Sequence, residues 1–421
     1  MEKLIVRQSE ALRGTVRISG AKNAVLPILA ACLLTEEPCT ITNVPALTDV
    51  MEMAELLEEF GAETSYDGLT ETMRICSETL SNQQAAEKNA CAMRASFLAA
   101  GPLLARCHQA ALPLPGGCPI GSRPEDLHLK GFSIMGAVHK LEHGVVELSA
   151  KNGLRGKRVY LDFPSVGATE NIMMAATLAK GTTTIENAAA EPEICDLADF
   201  LRKMGAEITG DGTDTIVIQG QKRLHGATHN VISDRIEAGT FMTAAAITGG
   251  DILLEQVRQE HLTPVIAKLT ECNAKTEVTS SGLRVYRKGR LRPIQLKTMP
   301  YPGFPTDMQA LFMSLAAVTK GTSVITETVF ENRFMHAAEL QRMGADIKID
   351  SRSAIIEGVD SLTGTSVRAT DLRAGAALIL SALAARGETE ISDIYHIERG
   401  YDRIEEKLRA LGADIQRSKD S

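Results

Sequence analysis

The sequence predicts an α/β protein of two similar domains, each built from three copies of one unit. Three observations predict it. A helix rich in small apolar residues recurs about every 70 residues, at 24–34, 93–105, 169–178, 236–247, 307–318 and 373–385. A short β-branched strand follows in most copies, as at Cys39, Thr182 and Thr322. A second, amphipathic helix then ends at a near-constant tripeptide that begins at Gly61, Gly136, Gly205, Asn273, Gly344 or Gly412, with alanine next in every copy.

Each element has a physical reason. The first helix is apolar nearly all round, which predicts burial on every side, whereas the polar face of the second places it outside. Glycine or asparagine supplies the left-handed residue that ends a helix, and an alternating segment such as 214–218 begins the return to a sheet. With 421 residues and a hydrophobic fraction of 44%, the chain is large enough for two cores. Strands at 4–6 and 15–18 precede the first helix, while the last unit stops near Ile415 without a following strand pair. The N-terminal strands are therefore expected to complete that last unit. The expected domains are 22–232 and 1–21 plus 233–421, with two crossings near Lys22 and Ser233 and a binding cleft between them.

Composition narrows the function. A net charge of −8 and only 4% aromatics argue against nucleic acid. The N-terminus lacks a signal-peptide core and the longest apolar runs, such as 374–385, are too short for a bilayer, so a soluble, cytoplasmic protein without a membrane partner is expected. Eight cysteines (32, 39, 76, 91, 107, 118, 195 and 272) show no paired spacing, which predicts reduced thiols. The pairs His139/His143 and His225/His229 lack a suitably placed acid, so no metal is expected. A P-loop and a strand-linked Gly-x-Gly-x-x-Gly are both missing from the sequence.

Two features carry chemistry. From Leu114 to His128, prolines and glycines close around Cys118 and erase any periodicity, so the cysteine rides on a loop that Gly116 and Gly117 hinge. The loop reads either as a lid with a reactive tip or as a surface turn with an incidental thiol. The second feature is charge at the starts of the buried helices: Lys22 with Asn23, Arg94, Asp234 with Arg235, Asp307, and Asp371 with Arg373. The aspartates have a simple reading as N-caps. The cations do not, since helix N-termini are electropositive; together with Arg123, Arg333 and Arg399 they point to a shared anion site. A closing cleft that holds a multiply anionic small substrate, with a thiol and one or two carboxylates for proton transfer, is the function these residues suggest.

The same residues closely resemble the UDP-N-acetylglucosamine 1-carboxyvinyltransferase family of enolpyruvyl transferases. The resemblance covers essentially the whole chain, most strongly at Ser19-Gly-Ala-Lys-Asn23, Leu114 through Cys118 to His128, Ser165-Val-Gly-Ala-Thr169, Asp234 to Thr240, Phe304-Pro-Thr-Asp307, Phe330-Glu-Asn-Arg333 and Ala369-Thr-Asp-Leu-Arg373. It implies two inside-out α/β barrels, each of three repeats related by pseudo-threefold symmetry. It also implies transfer of the enolpyruvyl group of phosphoenolpyruvate to the 3-hydroxyl of UDP-N-acetylglucosamine, by addition and then elimination of phosphate, as the first committed step of peptidoglycan synthesis. No cofactor is implied, and a monomer is expected.

By the resemblance, Lys22, Asn23, Arg94, Arg123 and Arg399 contact phosphoenolpyruvate. Cys118 gives a proton to its methylene carbon and can form a phosphothioketal adduct, while Asp307 accepts the proton of the sugar hydroxyl. Asn23, Arg94, Arg123, Pro124, Glu125, Asp126, Leu127, Ser165, Val166, Gly167, Asp307 and Val329 contact the nucleotide sugar, and Arg333, Asp371 and Arg373 lie near the phosphate and lid. Phe163-Pro164 stand where some members carry a lysine. The sister transferase acting on shikimate 3-phosphate lacks this cysteine-bearing lid, so the Gly-Gly-Cys-Pro motif separates the two. A regulatory scaffold without activity is disfavoured by Lys22, Cys118, Asp307 and Arg399 occurring together.

Overall fold

A computed structural model describes residues 2–85, 94–114 and 125–419. The chain divides into two compact units, one within residues 20–232, the other combining the segment up to Ser19 with Ser233–Ser421. Each unit has its own apolar core. Among the described residues each unit also has three small sheets, five of the six being four-stranded and one three-stranded.

The recurring apolar helices lie inside and the sheets outside. In Arg235–Thr248 every residue from Ile236 to Ile247 is buried, and in Gln309–Ala317 every residue is. Small residues let these helices approach closely. A Cβ on Gly101 would lie 2.4 Å from the backbone oxygen of Asn171, so the helices Ala100–Cys107 and Val166–Ala176 meet at backbone distance. The amphipathic helices carry larger polar faces, as in Pro192–Lys203.

The six tripeptides do what their composition predicts. Gly61, Gly136, Gly205, Asn273, Gly344 and Gly412 all have φ between 72° and 103°, the left-handed region that ends a helix at low cost only for glycine and asparagine. Each sheet then repeats one pattern with a parallel edge partner, which precedes its neighbour in the chain in every case but the first unit, where the later strand Thr228–Asn230 fills the place. Thr228–Asn230 runs parallel to Cys39–Thr42, Arg158–Tyr160 to Thr182–Glu186, Gln295–Lys297 to Gly321–Thr326, and Ser366–Arg368 to Glu388–Ser392. In the three-stranded sheet a single parallel bridge, Gln84 to Ala111, takes that place.

The two N-terminal strands do not both complete the last unit. Glu2–Arg7 does so, inserting antiparallel between Glu388–Ser392 and Ile415–Lys419. Arg13–Arg17 instead runs parallel to Asp251–Glu255 and supplies the edge of the fourth unit's sheet. The reason is geometric. The fourth unit needs a parallel edge from the segment before it, which Thr228–Asn230 cannot give because it already pairs with Cys39–Thr42. The last unit also has its own final strand, Ile415–Lys419, which the sequence reading missed. No helix among the described residues is long and apolar enough to cross a membrane.

Candidate active site

Within the unit containing Ser233–Ser421, arginines from one helix start and one turn meet a single carboxylate. Asp307 lies in the 3-10 turn Thr306–Met308 ahead of Gln309–Ala317. The Arg333 guanidinium donates to its Oδ1 at 2.6 Å, and the Arg373 Nε stands 3.6 Å from the same oxygen. Both arginine side chains are 5% exposed, while the Asp307 side chain keeps 27%. Nη1 of Arg333 and of Arg373 is buried without a hydrogen-bond partner among the described residues. Buried, unsatisfied guanidinium N–H groups are costly and mark a place built for an anion.

The surroundings fix these arginines. Burial works against the Arg373 charge, yet Tyr401, Asp307 and Asp234 hold the guanidinium protonated, above its usual range. Arg373 lies 5.5 Å over the Tyr401 ring, and the Tyr401 hydroxyl meets that of Thr240 at 2.8 Å. Asp371 caps Leu372–Ala384, accepting the Arg373 and Ala374 N–H groups at 2.9 and 3.0 Å. Asp234 caps its helix in the same way. Asp307 does not: among the described residues no backbone N–H of its own helix donates to it, and arginines take that place. The N-cap reading thus holds for Asp234 and Asp371 and fails for Asp307. Arg399 ends the short helix Tyr395–Glu398, half-buried, beside the start of Leu372–Ala384, where a Cβ on Gly400 would lie 2.6 Å from the Leu372 side chain.

In the unit of residues 20–232, Lys22 and Asn23 open the helix Lys22–Ala31. Lys22 is 8% exposed and its Nζ lies 2.5 Å from Oδ2 of Asp49, itself 2% exposed. Ser165 caps Val166–Ala176, accepting the Ala168 N–H at 3.3 Å, so Val166 and Gly167 form its first turn. Glu125, Asp126 and Leu127 form the start of Asp126–Ile134, and Leu127 packs against the core. The two helix starts meet through His128, whose ring lies 3.3 Å from a Cβ built on Gly167. The Asn171 amide lies 3.0 Å from His128 Nδ1, donates to the Phe97 carbonyl at 2.8 Å and accepts the Gly101 N–H at 2.7 Å. Arg94 opens the 3-10 segment Arg94–Ala99; its side chain, like Cys118, Arg123 and Pro124 with the hinge glycines, lies outside the described residues.

Sequence reasoning missed Asp49, Asn171, Tyr401 and His336. Asp49 was hidden because an acid in the first turn of Thr48–Glu59 looks like ordinary dipole compensation. His336 is 1% exposed, with no partner for Nε2 among the described residues. Burial drives its imidazole down to about 4, with Arg333 adding to the effect and Asp371 opposing it. The unfolded chain protonates this histidine near 6.5 and the folded chain only near 4, so its contribution is fully present above pH 6.5 and is lost as pH falls toward 4. Urea titrations of His336→Gln should show a flatter acid limb than the wild type, by roughly 3 kcal/mol across that window. Parallel limbs would show that the group does not titrate with folding.

The sequence profile of the family described as "EPSP synthase (3-phosphoshikimate 1-carboxyvinyltransferase)" matches residues 6–408. The chain is 58% identical over 415 residues to "UDP-N-acetylglucosamine 1-carboxyvinyltransferase 1" of Caldanaerobacter subterraneus subsp. tengcongensis, covering 99% of each chain. The chain belongs to the UDP-N-acetylglucosamine 1-carboxyvinyltransferase family. A second member of that family, "UDP-N-acetylglucosamine 1-carboxyvinyltransferase 2" of Carboxydothermus hydrogenoformans, is 56% identical over 425 residues and 100% of both chains. Among solved structures, the enolpyruvyl transferase NikO from Streptomyces tendae has a TM-score of 0.90 at 27% identity, covering 100% of this chain and 99% of that one. EPSP synthase from Acinetobacter baumannii, at 21% identity and TM-score 0.77 over 100% of both chains, shares the fold. The inside-out arrangement of three-repeat units is thus the architecture of enolpyruvyl transferases, of which this family is one branch.

Proposed function

We infer that this chain transfers the enolpyruvyl group of phosphoenolpyruvate to the 3-hydroxyl of UDP-N-acetylglucosamine with release of phosphate, committing the sugar to peptidoglycan precursor synthesis. The observation that carries the reading is the Asp307 carboxylate, partly open to solvent and held by two buried arginines whose Nη1 groups have no hydrogen-bond partner among the described residues, in a chain 58% identical to a named member of the family along its length. A carboxylate so held can take the proton of a hydroxyl brought within hydrogen-bond reach. The guanidiniums supply fixed positive charge where phosphate and carboxylate groups of a substrate or intermediate gather. Lys22, Asn23, Arg94, Arg123 and Arg399 are assigned to phosphoenolpyruvate. Glu125 to Leu127, Ser165 to Gly167 and Val329 are assigned to the nucleotide sugar, consistent with two helix starts that present backbone N–H groups to an anion. Cys118 is the proton donor to the methylene carbon and the atom that carries the phosphothioketal. The enzyme acts as a cytoplasmic monomer.

Phosphate release from phosphoenolpyruvate tests this directly, with UDP-N-acetylglucosamine and shikimate 3-phosphate offered separately. Release with the nucleotide sugar alone is expected. Release with shikimate 3-phosphate alone would move the chain to the sister activity.

A further inference from the structure

We propose that Glu327 is a positioning residue for this reaction, holding the Asp307 turn and the Val329 segment in a single register. The inference builds on the transferase reading above and deepens it. Glu327 directly follows the strand Gly321–Thr326 and is 1% exposed. Four donors converge on it. Its Oε1 accepts the Thr298 hydroxyl at 2.8 Å, the Val329 N–H at 2.8 Å and the Phe330 N–H at 3.1 Å. Its Oε2 accepts the Thr306 hydroxyl at 2.8 Å.

Those donors lie on both sides of the candidate base. Thr306 is the neighbour of Asp307 in the turn Thr306–Met308. Phe330 starts the stretch that reaches Arg333, whose guanidinium meets Asp307 at 2.6 Å. One buried carboxylate therefore ties together both arms of the Asp307–Arg333 contact, and it fixes Val329 in the same stroke. Thr298 locks the assembly from behind, accepting the Thr328 N–H on its own hydroxyl at 2.9 Å.

The chemistry requires a carboxylate at this place. It offers about four acceptor sites and no donor, so four converging donors are all satisfied. Bonds to an ionised acceptor are roughly twice as strong as neutral ones. Glutamine keeps the size but replaces one acceptor by an NH₂ group: toward Thr306 the hydroxyl has to turn from donor to acceptor, and toward the other side the NH₂ meets the Val329 and Phe330 N–H groups, so one arm of the bridge weakens. A displacement on the order of 1 Å at a reacting group can cost about 10²-fold in rate. A loop anchor with no role in positioning would change stability and leave the balance between the two substrates alone.

Steady-state phosphate release at varied phosphoenolpyruvate and varied UDP-N-acetylglucosamine, on wild type, Glu327→Gln and Thr306→Val, tests the proposal. Glu327→Gln is expected to lower kcat and raise KM for the nucleotide sugar by about tenfold each, with KM for phosphoenolpyruvate moving less than about twofold. Thr306→Val cuts only the arm to Asp307, so it should lower kcat by a similar factor and leave the sugar KM near wild type. A wild-type enzyme that releases no phosphate would sink the transferase reading itself. A wild type that turns over beside a Glu327→Gln variant with unchanged constants, or with both KM values shifted equally, would overturn the positioning role. Should Glu327→Gln fail to fold, a Thr306→Val variant with wild-type kcat would overturn it alone.

Discussion

Asp307→Asn should lose turnover by about 10²- to 10⁴-fold, the range that a positioned general base contributes. The substitution preserves shape and removes the only feature a base needs. It also withdraws a negative charge from two arginines whose side chains are 5% exposed. Removing one partner of a buried pair is destabilising because the other charge stays behind. The partial exposure of Asp307 moderates that loss, to roughly 1–3 kcal/mol, since water screens part of the interaction. Denaturation and single-turnover assays separate the two effects. A variant that is less stable yet makes product at the wild-type rate would leave Asp307 as a counter-ion only.

The second large effect is expected at Cys118. A free thiol has a pKa of about 8.5, so near neutrality it is mostly protonated and can donate, while its thiolate fraction attacks carbon electrophiles. Cys118→Ala should lose most turnover. Cys118→Asp supplies another proton donor without sulfur nucleophilicity, and an unperturbed aspartic acid, with a pKa of about 3.9, is protonated only in acid. That variant should keep measurable activity, shift its optimum to lower pH and resist alkylation by an epoxide carrying a phosphonate, which the wild-type thiol should undergo. Undiminished single-turnover product formation by Cys118→Ala would overturn the assignment, because a required proton donor cannot be deleted without slowing the addition.

The fold was legible where a local rule had one physical solution. Gly205 or Asn273 after an amphipathic helix has to be left-handed, and the all-apolar stretch through Phe241 and Met242 has to be buried; both are so. The candidate site was legible only in part, since its defining contacts span the chain. Asp234, Asp307 and Asp371 look alike in sequence, each an aspartate ahead of a buried helix. Two cap their helices, and the third is claimed by Arg333 and Arg373. Nothing within a few residues of Asp307 announces that. The same limit explains Asp49, whose partner Lys22 sits on another helix, and the parting of the two N-terminal strands. Their alternation fits any open sheet edge, so only the competition among edges decides where each one goes.

The insertion of Glu2–Arg7 between Glu388–Ser392 and Ile415–Lys419 imposes an order on biosynthesis. This strand is made roughly 380 to 410 residues ahead of the two neighbours between which it lies. At translation rates of ~5–20 residues per second the wait is roughly 20–80 s. Over that interval Leu4 and Val6, each at most 1% exposed in the finished molecule, have no native place to be buried. The intervening segment, whose sheets draw only on residues 20–232, has every native strand partner available long before then. Residues 20–232 can therefore mature first, and the waiting strand Glu2–Arg7 is the part that most needs shelter by a chaperone.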